Sequence, residues 1–89
     1  MNYQLDFKMI ENKGELHQYL KEKLGFPDYY GNNLDALYDE LTDLEDNTII
    51  EIKNFNFFQE KELKYSNLLL EVFNDVIDQN PSIQIIINK

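Results

Sequence analysis

The chain has 89 residues, 43% of them apolar and 28% charged, and a formal net charge of −9. A chain of this size is one domain, able to fold alone around a shared core and too apolar to be disordered. Its eight cations are all lysines against 17 acids, with one histidine and no cysteine, which argues against nucleic acid or anionic membranes as direct partners and against disulfides, thiolate chemistry or Cys-based metal sites.

A surplus of negative charge favours solubility and would steer a basic protein partner toward the chain. No basic stretch followed by an apolar run opens the sequence, and no apolar run approaches 18 residues, so neither a secretory leader nor a membrane span is expected. A cytoplasmic location is the expectation.

The opening alternates, placing Tyr3, Leu5, Phe7 and Met9 on one face of a first strand. Asn12 then offers a helix cap, with Glu15 three residues on in the reciprocal capping position. Leu16, Tyr19, Leu20 and Leu24 come next at helical spacing until Gly25 and Pro27, predicting a helix over about 13–24. Residues 26–33, FPDYYGNN, read as a loop in which Gly31 and the two Asn tolerate positive φ and Asn33 can cap a second helix. Leu34, Leu37, Tyr38 and Leu41 predict that helix from 34 to 42 or 43, short and dependent on tertiary packing.

Residues 48–52, TIIEI, read as a second strand covered on both faces. Residues 54–59, with three Phe, read as irregular, and residues 60–64 as a single helical turn. Ser66 is the expected cap of a last helix striped by Leu69, Val72, Phe73 and Val76 and ended by Asn80-Pro81. Ile83, Ile85, Ile86 and Ile87 then predict a buried C-terminal strand. Strands separated by helical crossovers pair in parallel. The fold class expected is α/β: a three-stranded parallel sheet with helices packed mainly on one side.

Asp35, Asp39 and Asp43 recur every four residues, forming one anionic row along the second helix. Like charges at this spacing repel, and Asp43 stands at the helix end where an anion is disfavoured. No cation lies between residues 24 and 52 to relieve the row. Tyr29, Tyr30 and Tyr38 surround it, a residue type that supplies rigid contact area and a hydroxyl at binding surfaces. A plain solvated polar face is the alternative reading, with Tyr38 and at least one of Tyr29 and Tyr30 packed inward. A glycosidase-like pair of Asp35 and Asp39 would need a pocket that separates their pKa values, for which so small a domain has little room. No acidic loop has calcium-loop spacing, and three scattered glycines build no phosphate cradle. His17 sits beside the apolar stripe of the first helix, where a structural role is the expectation. No catalytic residue, metal or cofactor is assigned.

The run from Leu24 to Asp39, LGFPDYYGNNLDALYD, resembles the signature of the barstar family of bacterial intracellular ribonuclease inhibitors: Pro, an acid, Tyr-Tyr-Gly, then Asn-Leu-Asp-Ala-Leu, an aromatic residue and Asp. The resemblance covers the whole chain, residues 1–89, as one domain. It implies no enzyme but an inhibitor that binds a small basic ribonuclease one to one, in a toxin–antitoxin-like immunity role; a monomer when free is the expectation, since no extra apolar stripe is evident in the sequence. By the same resemblance the partner-binding residues are Tyr29, Gly31, Asn33, Asp35, Ala36, Tyr38, Asp39, Thr42 and Asp75. Asp39 would stand in for a substrate phosphate, Asp35 would meet donors at the cleft rim, and Tyr29 would pack on a catalytic histidine. Gly31, Asn33, Ala36 and Tyr38 complete the surface, Thr42 lies at its edge, and Asp75 adds an acid from the last helix. Leu44 stands where an aromatic residue is common, Asp75 where Glu is common, and Tyr38 where some members have Trp. The alternative implied is a module of the same build that binds a different basic protein.

Overall fold

The computed structural model describes all of residues 1–89. Its elements run β1 (Asn2–Asp6), α1 (Lys13–Leu24), α2 (Leu34–Thr42), β2 (Ile49–Lys53), α3 (Phe55–Lys61), α4 (Leu63–Gln79) and β3 (Gln84–Ile87). The three strands form one parallel sheet in the order β1-β2-β3. Tyr3, Ile50 and Ile85 lie side by side, as do Leu5, Ile52 and Ile87, and these two rows face the helices. Leu5, Ile50 and Ile52 are buried there with Leu16, Leu20, Leu37, Leu41, Leu69 and Val76. The expected α/β class, with its helices on one side, is the one observed.

Helix ends follow local chemistry. Asn12 Oδ1 accepts the Glu15 amide at 2.9 Å and starts α1. The Glu15 carboxylate accepts in return from the Glu11 amide at 3.0 Å, one residue earlier than a strict reciprocal cap. Gly25 closes α1 in the left-handed region, φ 71°, where a side chain would be strained.

Four local expectations are corrected. β1 ends at Asp6, so Met9 is not on its buried face but is 80% exposed, while Phe7 is buried. Residues 55–61 are helical rather than irregular, because Phe55 and Phe58 are one turn apart and both enter the core. Glu62 breaks the chain into α4, which starts at Leu63. Ser66 is therefore inside the first turn, its hydroxyl donating to the Leu63 carbonyl at 2.8 Å, and caps nothing. Finally, the sheet has helices on only one face. Ile49 and Glu51 of β2 are half-buried, and β3, an edge strand, leaves Ile86 42% exposed.

Phe7 sits at the centre of an aromatic cluster. Its ring lies 6.2 Å from Tyr19, 5.8 Å from Phe55 and 6.1 Å from Phe58, joining β1, α1 and α3. Edge-on and tilted rings at these separations add favourable quadrupole contacts to the burial itself.

Candidate protein-binding site

The loop between α1 and α2 is built from its own short-range bonds. The Tyr30 amide donates to the Pro27 carbonyl at 3.0 Å, closing a tight turn. Phe26 and Tyr30, its inner residues, are buried with ring centres 4.9 Å apart. Tyr29, at the tip, is 84% exposed. The two adjacent tyrosines thus have opposite fates: one anchors the turn and the other is displayed.

Asn32 turns the chain into α2 in the left-handed region, φ 54°, which Asn tolerates. Gly31 does not use positive φ, contrary to expectation; a side chain there would be crowded, since a Cβ would lie 3.0 Å from Asn33 Nδ2, which would have to shift. Asn33 carries two bonds. Its Oδ1 accepts the Ala36 amide at 2.8 Å, capping α2, and its Nδ2 donates to the Gly31 carbonyl at 3.1 Å.

α2 buries Leu37 and Leu41 and packs against α4. Ala36 and Tyr38 are half-buried against the core, leaving part of each methyl or ring at the surface. Asp35, Asp39 and Asp43 are exposed on the outer face. The molecule's one ion pair joins Lys61 to Glu11, so no lysine neutralises any carboxylate of α2. Asp35 gains from the positive helix start, but Asp43, at the C-cap, is opposed by the negative end. The row is therefore held in place by Leu37 and Leu41 underneath and not by its own charges. The Thr42 hydroxyl donates back to the helix carbonyls of Tyr38 (2.9 Å) and Asp39 (3.0 Å), which occupies its proton.

Asp75 comes from α4, which lies alongside α2. Asn80 Nδ2 donates to the Thr42 carbonyl at 3.3 Å and ties the two C-terminal ends together. Glu71, Asp75 and Asp78 are exposed, and no lysine occurs between residues 64 and 89. Two neighbouring helices thus expose acids without local cations. The surface has no ligand-sized pocket, and no three His, Asp or Glu side chains come together as a metal-holding group. No helix is long and apolar enough to cross a membrane.

Behind the loop lies an arrangement that sequence patterns do not reveal. His17 is buried, with Nδ1 2.7 Å from the Tyr30 hydroxyl and Nε2 2.6 Å from the Tyr65 hydroxyl. A neutral imidazole has one donor and one acceptor nitrogen, so one hydroxyl accepts from the ring and the other donates to it. Burial holds the His17 pKa below its usual 6.5 and pushes both tyrosine hydroxyls above 10. His17 lies three and seven residues before Leu20 and Leu24, a spacing that marks it as inward-facing. Tyr65 is 48 residues away, and no local signal pairs them.

The family model described as Barstar (barnase inhibitor) matches residues 1–87. A Bacillus subtilis (strain 168) protein named "Putative ribonuclease inhibitor YrdF" is 42% identical over 76 residues, covering 84% of each chain. A match running through every helix and strand, with the acidic helix and its loop included, makes this chain a member of the Barstar family, whose proteins are inhibitors and not enzymes.

Proposed function

We propose that this protein inhibits a small basic ribonuclease by laying α2 and the loop before it into the enzyme's active-site cleft. The observation that carries the reading is the exposed row Asp35, Asp39, Asp43, which no cation of the chain neutralises, beside a Tyr29 that is 84% exposed. An anionic ridge of this kind loses its self-repulsion when it meets a cationic cleft, and the attraction speeds the encounter. The B. subtilis relative's name points to the same activity.

Asp39, mid-helix, would replace a substrate phosphate and take an arginine of the cleft by two parallel bonds. Asp35 would meet donors at the rim, and Tyr29 would cover a catalytic histidine. Gly31 and Asn33 hold the turn that sets Tyr29 against α2, while Ala36 and Tyr38 fill the surface between. Thr42, its hydroxyl proton committed to its own helix, contributes at the edge by contact. Asp75 extends the acidic surface onto α4. The complex is one to one, formed in the cytoplasm by a chain that is monomeric when free.

The test is titration into a small basic guanine-preferring bacterial ribonuclease while RNA cleavage is monitored. Loss of cleavage at one equivalent, strongly weakened by Asp39→Ala with an unchanged far-UV spectrum, is the expected result. Full cleavage in the presence of excess folded protein at low salt would refute inhibition of that enzyme class and favour a different basic protein as partner.

A further inference from the structure

The loop that displays Tyr29 is attached to the core through Tyr30, and Tyr30 is attached through its hydroxyl to one side chain, His17. His17 in turn is fixed from α4 by Tyr65. α1, the 26–33 loop that follows it and, from a distant part of the sequence, the start of α4 thus meet at one imidazole. We infer that His17 is a positioning residue of the partner-binding loop: the neutral ring, clamped between Tyr30 and Tyr65, fixes the turn that presents Tyr29, Gly31 and Asn33, and protonation of the ring releases it. That the loop is a binding loop rests on the proposed inhibitor function; that His17 holds it does not.

The mechanism is a count of protons. The neutral ring offers one donor and one acceptor, and two hydroxyls satisfy both. The charged ring offers two donors and no acceptor. Whichever hydroxyl had donated to the ring must then turn its proton away, and its bond is lost unless it rotates to accept. The ring and Tyr30 are buried and Tyr65 is half-buried, so an unmatched hydroxyl is costly above all on the Tyr30 side, and the charge on the ring is costly in either case. No carboxylate pairs with the ring to offset that cost.

The surroundings act on the hydroxyls instead. Glu40 of α2 acts on Tyr30, and Glu62, preceding α4, acts on Tyr65. On α1, Lys13 Nζ lies 5.2 Å from the centre of the Tyr65 ring, and Lys21 Nζ reaches the Asp28 carbonyl at 3.4 Å. Neither lysine contacts the His17 ring, and burial is what opposes its charge. The element with least other support is the loop: Tyr30 is held by its ring packing on Phe26, its N–H donating to the Pro27 carbonyl, and His17. Tyr65, by contrast, is in a 17-residue helix. The strain of a charged ring therefore relaxes on the loop side.

The test uses the free, ¹⁵N-labelled chain and needs no ribonuclease, so it stands or falls apart from the inhibition assay. From pH 8 downward through its titration, the ring of His17, the single histidine, is monitored together with the backbone amides of residues 29–33. The expected result is that these amides shift with the midpoint of His17. Exchange at the Tyr30 amide, corrected for its intrinsic pH dependence, should rise about five- to tenfold, the order set by one buried hydrogen bond. Ile50 and Ile52, in the central strand, should hold their protection; a His17 acting only on global stability would move them equally. His17→Gln, which keeps a donor and an acceptor without titrating, should abolish the pH response. Tyr30→Phe should bring the loop at pH 8 to the exchange seen in the parent once His17 is protonated. Loop amides that stay silent while His17 titrates, or a pH response that survives in either variant, would overturn the inference. If His17→Gln fails to fold, Tyr30→Phe decides alone.

Discussion

Asn33 offers the sharpest check of how the loop and α2 are built. Replacing it with Ala removes the acceptor for the Ala36 amide and the donor to the Gly31 carbonyl. Loss of an Asn cap costs typically about 1 kcal/mol. The bond to Gly31 is exposed and adds roughly 0.5 kcal/mol, the low end for a hydrogen bond. The sum, about 1.5 kcal/mol, corresponds in a domain of this size to a melting-temperature fall of roughly 8 °C. Asn33→Ser keeps an acceptor for the Ala36 amide and loses the second bond, so it should cost about a third as much.

A double-mutant cycle isolates the crowding at Gly31. Gly31→Ala puts a Cβ 3.0 Å from Asn33 Nδ2 in the parent, but that atom is missing in Asn33→Ala. The second substitution should therefore cost less in the Asn33→Ala background, with a coupling on the order of 0.5 kcal/mol or more. Urea denaturation of the four proteins measures it. Strict additivity, or an Asn33→Ser variant as unstable as Asn33→Ala, would refute the account of this turn.

Three further outcomes concern titration and the core. His17 has a folded pKa below its unfolded value, so the unfolded chain binds more protons there; its contribution is complete above about pH 6.5 and declines as pH falls toward the folded pKa. Denaturant midpoints across pH 8 to 5 should show this decline, and His17→Gln should remove that part of it. Tyr30 and Tyr65 carry raised pKa values, so their contribution is present below about pH 10 and declines as pH rises beyond it, a loss that Tyr65→Phe should reduce. Phe7→Ala empties the centre of the aromatic cluster and should cost about 3–5 kcal/mol, read as a fall in denaturant midpoint at unchanged slope.

Features with a local cause were legible in the sequence alone. Asn12, Gly25 and Asn33 set helix ends through bonds and dihedrals spanning a few residues, and the structure has each of them at its expected end. The anionic row was legible because a spacing of four keeps Asp35, Asp39 and Asp43 on one face of any helix. Parallel pairing was legible because helical crossovers lie between successive strands.

Tertiary structure decided the rest. An isoleucine-rich strand looks alike whether one face is covered or two; here the helices lie on a single face, which leaves Ile49 and Ile86 partly open. The Phe-rich segment became α3 because Phe55 and Phe58 had a core to enter, a gain that local propensity does not contain. α4, which carries Asp75, lies alongside α2 only because the two helices pack together, and His17 meets Tyr65 across 48 residues only because the fold closes them together. Capping and periodicity act within a turn or two of chain, whereas burial and long-range hydrogen bonds depend on which surfaces the completed fold brings into contact.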